Sequence, residues 1–383
     1  MGLVAMIAVA LLVLPWVIAV ALVSHHRLDA TAVTILAAVS IPLSALWLTW
    51  VTLARDGAAG TAAGSFSIAE VADQLAVAVA RQWADEANIR RLNDPYPLAV
   101  SWTAADPDLT VEWDSLVTVA ASGAGWPSPP ATGTWAASPR ELAGKGQQLA
   151  NVLTRVPTGR LVVLGDPGAG KTMLMVRLVL DLLKSRGAGG PVPILVSIAS
   201  WNPAEQDLLS WLTAQLLIAY PGLANPAQDG PTVRTQAEAL LEHRLIFPLL
   251  DGLDEIPEGV RGSAIGLING ALQPGQRLVV TCRSEQYREA INPKGVREIK
   301  PVQAAAAIKL CPLDLEAVHD YLCHDAPGPN TRAQWDRVFN RLGKRSPLRE
   351  ALTTPLMVGL ARTIYNSPGQ PSTARPDPVE LRN

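Results

Sequence analysis

Residues 165–172 read Gly-Asp-Pro-Gly-Ala-Gly-Lys-Thr and fill every fixed position of the phosphate-binding pattern G-x-x-x-x-G-K-[ST]. The apolar run Leu161-Val162-Val163-Leu164 precedes the motif, and a helix-like stretch over 172–184 follows it. In a strand–loop–helix of this kind, glycines let backbone N–H groups turn inward around phosphate oxygens, and the helix adds its positive N-terminal end. Gly165, Gly168 and Gly170 supply that backbone freedom, and Asp166, Pro167 and Ala169 complete the loop. Lys171 is placed to reach β- and γ-phosphates, and the Thr172 hydroxyl to ligate Mg²⁺. The chain is therefore expected to bind a nucleoside triphosphate. The expected fold is α/β, a parallel sheet with helices on both faces and the nucleotide at the carboxyl ends of its strands.

A second apolar strand is expected over 193–198, then a mostly helical segment, then a third strand over 245–250. That third strand runs into Asp251-Gly252-Leu253-Asp254-Glu255. A hydrophobic strand ending in Asp is the Walker B arrangement, which sets a carboxylate opposite the P-loop Thr to hold Mg²⁺. Asp251 takes that place, and Asp254 and Glu255 are what a hydrolase needs to orient an attacking water. A further strand over 277–282 ends at Arg283, whose forked guanidinium suits a sensor of the γ-phosphate.

The first 54 residues are a different material. Two runs, 3–23 and 33–54, carry no charge and are each long enough to span a bilayer as a helix. Trp47 and Trp50 approach the end of the second run and Arg55 closes it, as at a membrane–water boundary. The spacing predicts a two-span hairpin in the cell membrane in contact with lipid, both ends cytoplasmic because an ATP-using domain works in the cytosol. His25 and His26 fall in the short external loop. With 32 basic and 34 acidic residues the net charge is −2, which gives no electrostatic footprint for nucleic acid. The three cysteines, Cys282, Cys311 and Cys323, form no metal-ligand spacing in sequence, and Cys311 and Cys323 read as small apolar core residues.

The expected organisation is a transmembrane hairpin over 1–55 and a small-residue linker over 56–66. A juxtamembrane adaptor follows over 67–150, a nucleotide-binding core over 151–300, a small helical lid over 301–366 and a Pro-rich tail over 367–383. Within the adaptor, Ile68, Val71, Leu75, Val79 and Trp83 define one face of a helix over 67–92. Short strands are expected over 98–102 and 109–113, and a helix over 140–156. Asp320, Arg332, Asp336, Arg337 and Arg341 read as the solvated faces of the lid.

The motifs together resemble the NACHT family of signal-transducing P-loop ATPases, also called STAND ATPases. The resemblance rests on GDPGAGKT, on LLDGLDEIP at 249–257, on VVTCRS at 279–284, on CPLD at 311–314 and on LTTPLM at 352–357. It covers about 150–366, and 66–150 looks like the segment that precedes the ATPase in bacterial members. It implies that Asp251 serves Mg²⁺, that Asp254 and Glu255 serve hydrolysis or the switch, and that Pro355 lies against adenine. ATP and Mg²⁺ are the implied cofactors; homo-oligomerisation and a protein effector are implied partners. Cys282 and Ser284-Glu285 stand where the family often reads T-S-R-P. No winged helix or repeat region follows before Asn383, so the histidine that touches the β-phosphate in the family has no counterpart here.

These readings favour a membrane-anchored, nucleotide-dependent signalling or defence switch with slow ATP hydrolysis. The alternative is a hydrolysis-deficient nucleotide-binding scaffold or a truncated remnant. A transport ATPase would need an LSGGQ-like signature between the two motifs, and 173–250 contains none.

Overall fold

A computed structural model describes residues 66–90, 98–123, 125–127, 129, 134–228, 233–292, 301–343 and 346–366. The two expected membrane spans, the residues 56–65 of the linker and the tail 367–383 lie outside them. Among the described residues no helix is long and apolar enough to cross a membrane.

The described elements run α1 (Ile68–Ile89), β1 (Ser101–Ala104), α2 (Trp113–Ala121), β2 (Gly144–Lys145), α3 (Leu149–Arg155), β3 (Arg160–Leu164) and α4 (Lys171–Lys184). Then come β4 (Val192–Ser197), α5 (Leu208–Ala219), α6 (Gln236–Glu242), β5 (Ile246–Asp251), α7 (Glu258–Ala271), β6 (Leu278–Cys282), α8 (Ser284–Ile291) and β7 (Ala306–Leu310). Helices α9 (Leu315–His324), α10 (Pro329–Asn340), α11 (Pro347–Ala351) and α12 (Pro355–Tyr365) close the described chain.

The strands form one seven-stranded sheet in the order β2-β1-β7-β3-β6-β5-β4. From β7 to β4 every pairing is parallel, whereas β1 runs antiparallel to both β7 and β2. Parallel strands need helical crossovers that cover both faces, so their residues are buried throughout. All five residues of β3 and all five of β6 are buried accordingly. The P-loop strand β3 and the acidic strand β5 are not neighbours, because β6 lies between them. Pro248 sits inside β5 although proline cannot donate to a ladder; pairing with β6 begins only at Leu249, beyond the missing N–H.

Several sequence expectations are corrected. Residues 109–113 form no strand, because Pro107 opens a 3-10 turn and a helix starts at Trp113. Residues 140–156 are not one helix: Gly144 pairs in β2, Gly146 turns at φ 63°, and α3 begins only at Leu149. A Cβ at 144 would lie 2.9 Å from the ring of Trp102, whose Nε1 donates to the Leu142 carbonyl at 2.9 Å. Strand β7, beyond residue 300, pairs directly with β3. Residues 66–383 form one compact unit. Helix α1, fixed at its start by a Ser67–Glu70 capping box, packs on α4 and β4, and β1 and β2 widen the sheet.

Candidate functional site

The sequence fixes the site by placing charged and glycine-rich turns at the carboxyl ends of β3, β5 and β6. The loop after β3 leads directly into α4, whose cap Gly170 has φ 87°, and Gly168 has φ 75°. Both angles are costly for any residue with a Cβ. The start of α12 sits on this loop. Leu356 N–H donates to the Gly168 carbonyl at 3.2 Å, and a Cβ on Gly170 would lie 3.4 Å from Pro355. Pro355 is therefore brought to the P-loop, at the first turn of α12, where its missing N–H costs nothing.

Thr172 Oγ1 donates to Asp251 Oδ2 at 2.7 Å across the width of β6. Thr281, from the buried strand between them, donates to Asp251 Oδ1 and accepts the Gly252 N–H at 2.9 Å. Gly252 has φ 83° and starts the 3-10 turn Leu253–Glu255. Arg283 N–H donates to Asp254 Oδ1 at 3.0 Å, and its Nε lies 2.7 Å from Oδ2. Arg283 thus engages both carboxylate oxygens of Asp254. Glu255 stands apart, 3.5 Å from the Ser197 hydroxyl.

Lys171 Nζ donates to the Gly165 carbonyl at 2.7 Å and to that of Asp166 at 3.3 Å, curling back over its own loop. Burial pushes its pKa below the usual lysine value, against the pull of Asp254 and Asp251. The Cys282 thiol, at the end of β6, is pushed up to about 12 by burial and by Asp254, so it is neutral.

The loops that carry these groups border a cavity of about 820 Å³. Residues 167–172, Asp251, Asp254, Glu255 and Arg283 form its polar end, and Leu98, Val100, Tyr321, Pro355 and Leu360 its apolar end. Gly165 and Asp166 bound the loop beneath; a Cβ on Gly165 would lie 3.2 Å from Leu310. The residues fit a nucleotide with a divalent ion. The loop glycines leave room for phosphate, Lys171 supplies positive charge, and Thr172 and Asp251 offer the hard oxygens that Mg²⁺ prefers. The apolar end accepts a base, as binding sites with a few placed polar groups do.

Residues 159–325 match the family model of the NACHT domain. The α/β sheet with its P-loop is correspondingly that of a P-loop NTPase-like fold, in which nucleotide is bound at the strand ends. The chain is also similar to the crystal structure of Cdc6p from Pyrobaculum aerophilum, at 15% identity and a TM-score of 0.28 over 43% of this chain and 42% of that one. PCH-2 of C. elegans is similar at 13% identity and a TM-score of 0.31, over 70% of this chain and 69% of that one. At these scores neither likeness bears on function. No curated protein matches the chain.

Sequence reasoning gave no role to Thr281 or Arg362, and took Tyr321 only as part of the family resemblance. Thr281 was hidden inside an apolar strand. Tyr321 and Arg362 belong to α9 and α12, which local sequence does not bring together. Arg362 pairs with Asp325 at 2.7 Å and lies 5.7 Å above the Tyr321 ring.

Proposed function

We propose that the chain is a membrane-anchored NACHT-type switch, whose arrangement is set by ATP or ADP and which hydrolyses ATP slowly. The observation that carries this reading is the contact between α12 and the P-loop. Helix α12 reaches the loop through the Leu356–Gly168 hydrogen bond and the Pro355–Gly170 packing. Whatever occupies the loop therefore bears on the C-terminal helices, and a ligand with different affinity for two arrangements shifts their populations. In this reading Lys171 and the N-terminus of α4 hold the phosphates, and Thr172 and Asp251 hold Mg²⁺, which supplies charge neutralisation there. Glu255 orients water and Arg283 reads the γ-phosphate once it leaves Asp254. The two apolar runs over 3–23 and 33–54 support the membrane anchor, and the need of a P-loop domain for ATP supports a cytoplasmic side for the remainder. An unidentified protein effector and self-association complete the proposal.

A second reading has one observation in its favour. The hold of Arg283 on Asp254 and the turn of Lys171 onto the Gly165 carbonyl support a binder that does not turn over. The two separate on the full chain with ATP, ADP and GTP in Mg²⁺, beside Lys171→Ala and Glu255→Gln. Tight binding lost in Lys171→Ala, with turnover lost in Glu255→Gln but binding kept, supports the switch. Binding without turnover in the unaltered chain supports the scaffold, and no binding by the folded chain overturns both.

A further inference from the structure

A second constellation lies in the C-terminal helices, and the nucleotide site makes no use of it. Helix α9 presents His319 and Cys323 one turn apart on the same face, as residues four apart must be. Asp336 of α10 stands opposite. His319 Nε2 lies 2.8 Å from Asp336 Oδ1 and 3.4 Å from Cys323 Sγ, and Sγ lies 4.0 Å from the same carboxylate oxygen. A tetrahedral zinc ion with bonds of about 2.0–2.3 Å holds its donors about 3.3–3.6 Å apart. The three observed separations bracket that span. The shortest must lengthen and the longest shorten by about half an ångström to meet it.

The surroundings also have the form that supports a metal. His319 Nδ1, the nitrogen away from the cluster, faces the exposed Asp320 carboxylate at 3.6 Å, near but beyond hydrogen-bond reach. The Phe339 ring stands edge-on to His319 with centroids 4.9 Å apart. Arg332 of α10 donates to the Cys323 carbonyl through Nε at 3.3 Å and Nη2 at 3.2 Å. Trp335, fully buried, donates its Nε1 to Asn366 at 2.9 Å and anchors α10 from beneath. The donors are thus held in place by packing that does not depend on an ion.

We propose that His319, Cys323 and Asp336 form a binding site for a zinc-class divalent ion, with water as the fourth ligand. One imidazole, one thiolate and one carboxylate select zinc over magnesium or calcium, which prefer all-oxygen shells. As the metal–sulfur bond forms, the thiol proton leaves to solvent. The ion would clamp α9 to α10. Tyr321, two residues from each α9 ligand, turns the other way into the nucleotide cavity, so the clamp would also stiffen one wall of that cavity.

The test uses the full chain without a polyhistidine tag, stripped by chelator and titrated with Co²⁺ in excess Mg²⁺. Excess Mg²⁺ occupies the oxygen site at Thr172 and Asp251, and that site can give no sulfur signal. The expected result is a thiolate-to-cobalt charge-transfer band that saturates at one equivalent per chain and is displaced by Zn²⁺. Cys323→Ser and His319→Gln should each remove the band, Asp336→Asn should weaken cobalt affinity by roughly tenfold or more, and Cys311→Ser should retain it. Circular dichroism reports whether each variant is folded. No band from the folded unaltered chain, or a band that survives Cys323→Ser, overturns the proposal.

Discussion

Arg283 holds Asp254 with two of its groups at once, the main-chain N–H on one carboxylate oxygen at 3.0 Å and the guanidinium Nε on the other at 2.7 Å. The Asp254 side chain is only 7% exposed, whereas that of Arg283 is 45% exposed. Removing the arginine leaves a nearly buried charge with half its partners. Replacement by alanine should therefore lower stability by about 1–2 kcal/mol, less than for a wholly buried pair because solvent reaches the guanidinium. Urea denaturation of Arg283→Ala, Asp254→Asn and the double variant checks this, and the double variant should recover part of the loss.

Gly168→Ala should damage binding more than folding. Its φ of 75° costs an alanine about 1–2 kcal/mol, and the new Cβ would lie 3.1 Å from that of Leu356. The first turn of α12 must then lift from the loop. The expected outcome is ATP affinity reduced at least tenfold with the fold retained, read by calorimetry and circular dichroism together.

Thr281→Val keeps shape but loses the hydroxyl. The Gly252 N–H is left without its partner and Asp251 loses one of its two donors. Such an orphaned group costs about 1–3 kcal/mol. Nucleotide-dependent Mg²⁺ affinity should fall alongside stability, whereas Thr281→Ser should retain both; a Mg²⁺ titration at fixed ATP measures the difference.

Burial lowers the Lys171 pKa in the folded chain below its ordinary 10.5. The unfolded chain then binds more protons between the two values, so the cost of burying this charge fades as pH rises through that window. Phosphate acts in the opposite sense and favours the charged amine. ATP affinity should therefore fall as pH rises through the folded value, and binding there should take up a proton. Calorimetry in two buffers of different ionisation heat reads the uptake, which Lys171→Arg should abolish because an arginine stays charged.

Much of the site was legible because its chemistry is local. Gly165 to Thr172 form one turn, and Asp251 ends the strand that its apolar run predicts. What stayed hidden depends on strand order and distant packing. Strand β7 is the alanine-rich run 306–310, which has little strand propensity of its own and is a strand because β1 and β3 pair on either side of it. Insertion of β6 between β3 and β5 could not be read from spacing, and with it went the role of Thr281. The pairing of His319 and Cys323 with Asp336 was missed for a related reason. Cysteine spacing alone showed no ligand pattern, because the third donor comes from a different helix.

Helix α8 begins one residue after Arg283 and ends its first turns at Arg288, whose guanidinium grips Asp106 at 2.9 Å and also Asp108. One short rod, about 7.5 Å from end to end between those two arginines, is thus fastened to the phosphate end of the sheet and to the turn that follows β1. Tilting it about either fastening moves the other. Residues 106–108 and the guanidinium that restrains Asp254 are thus tied to the same helix, five residues apart along it.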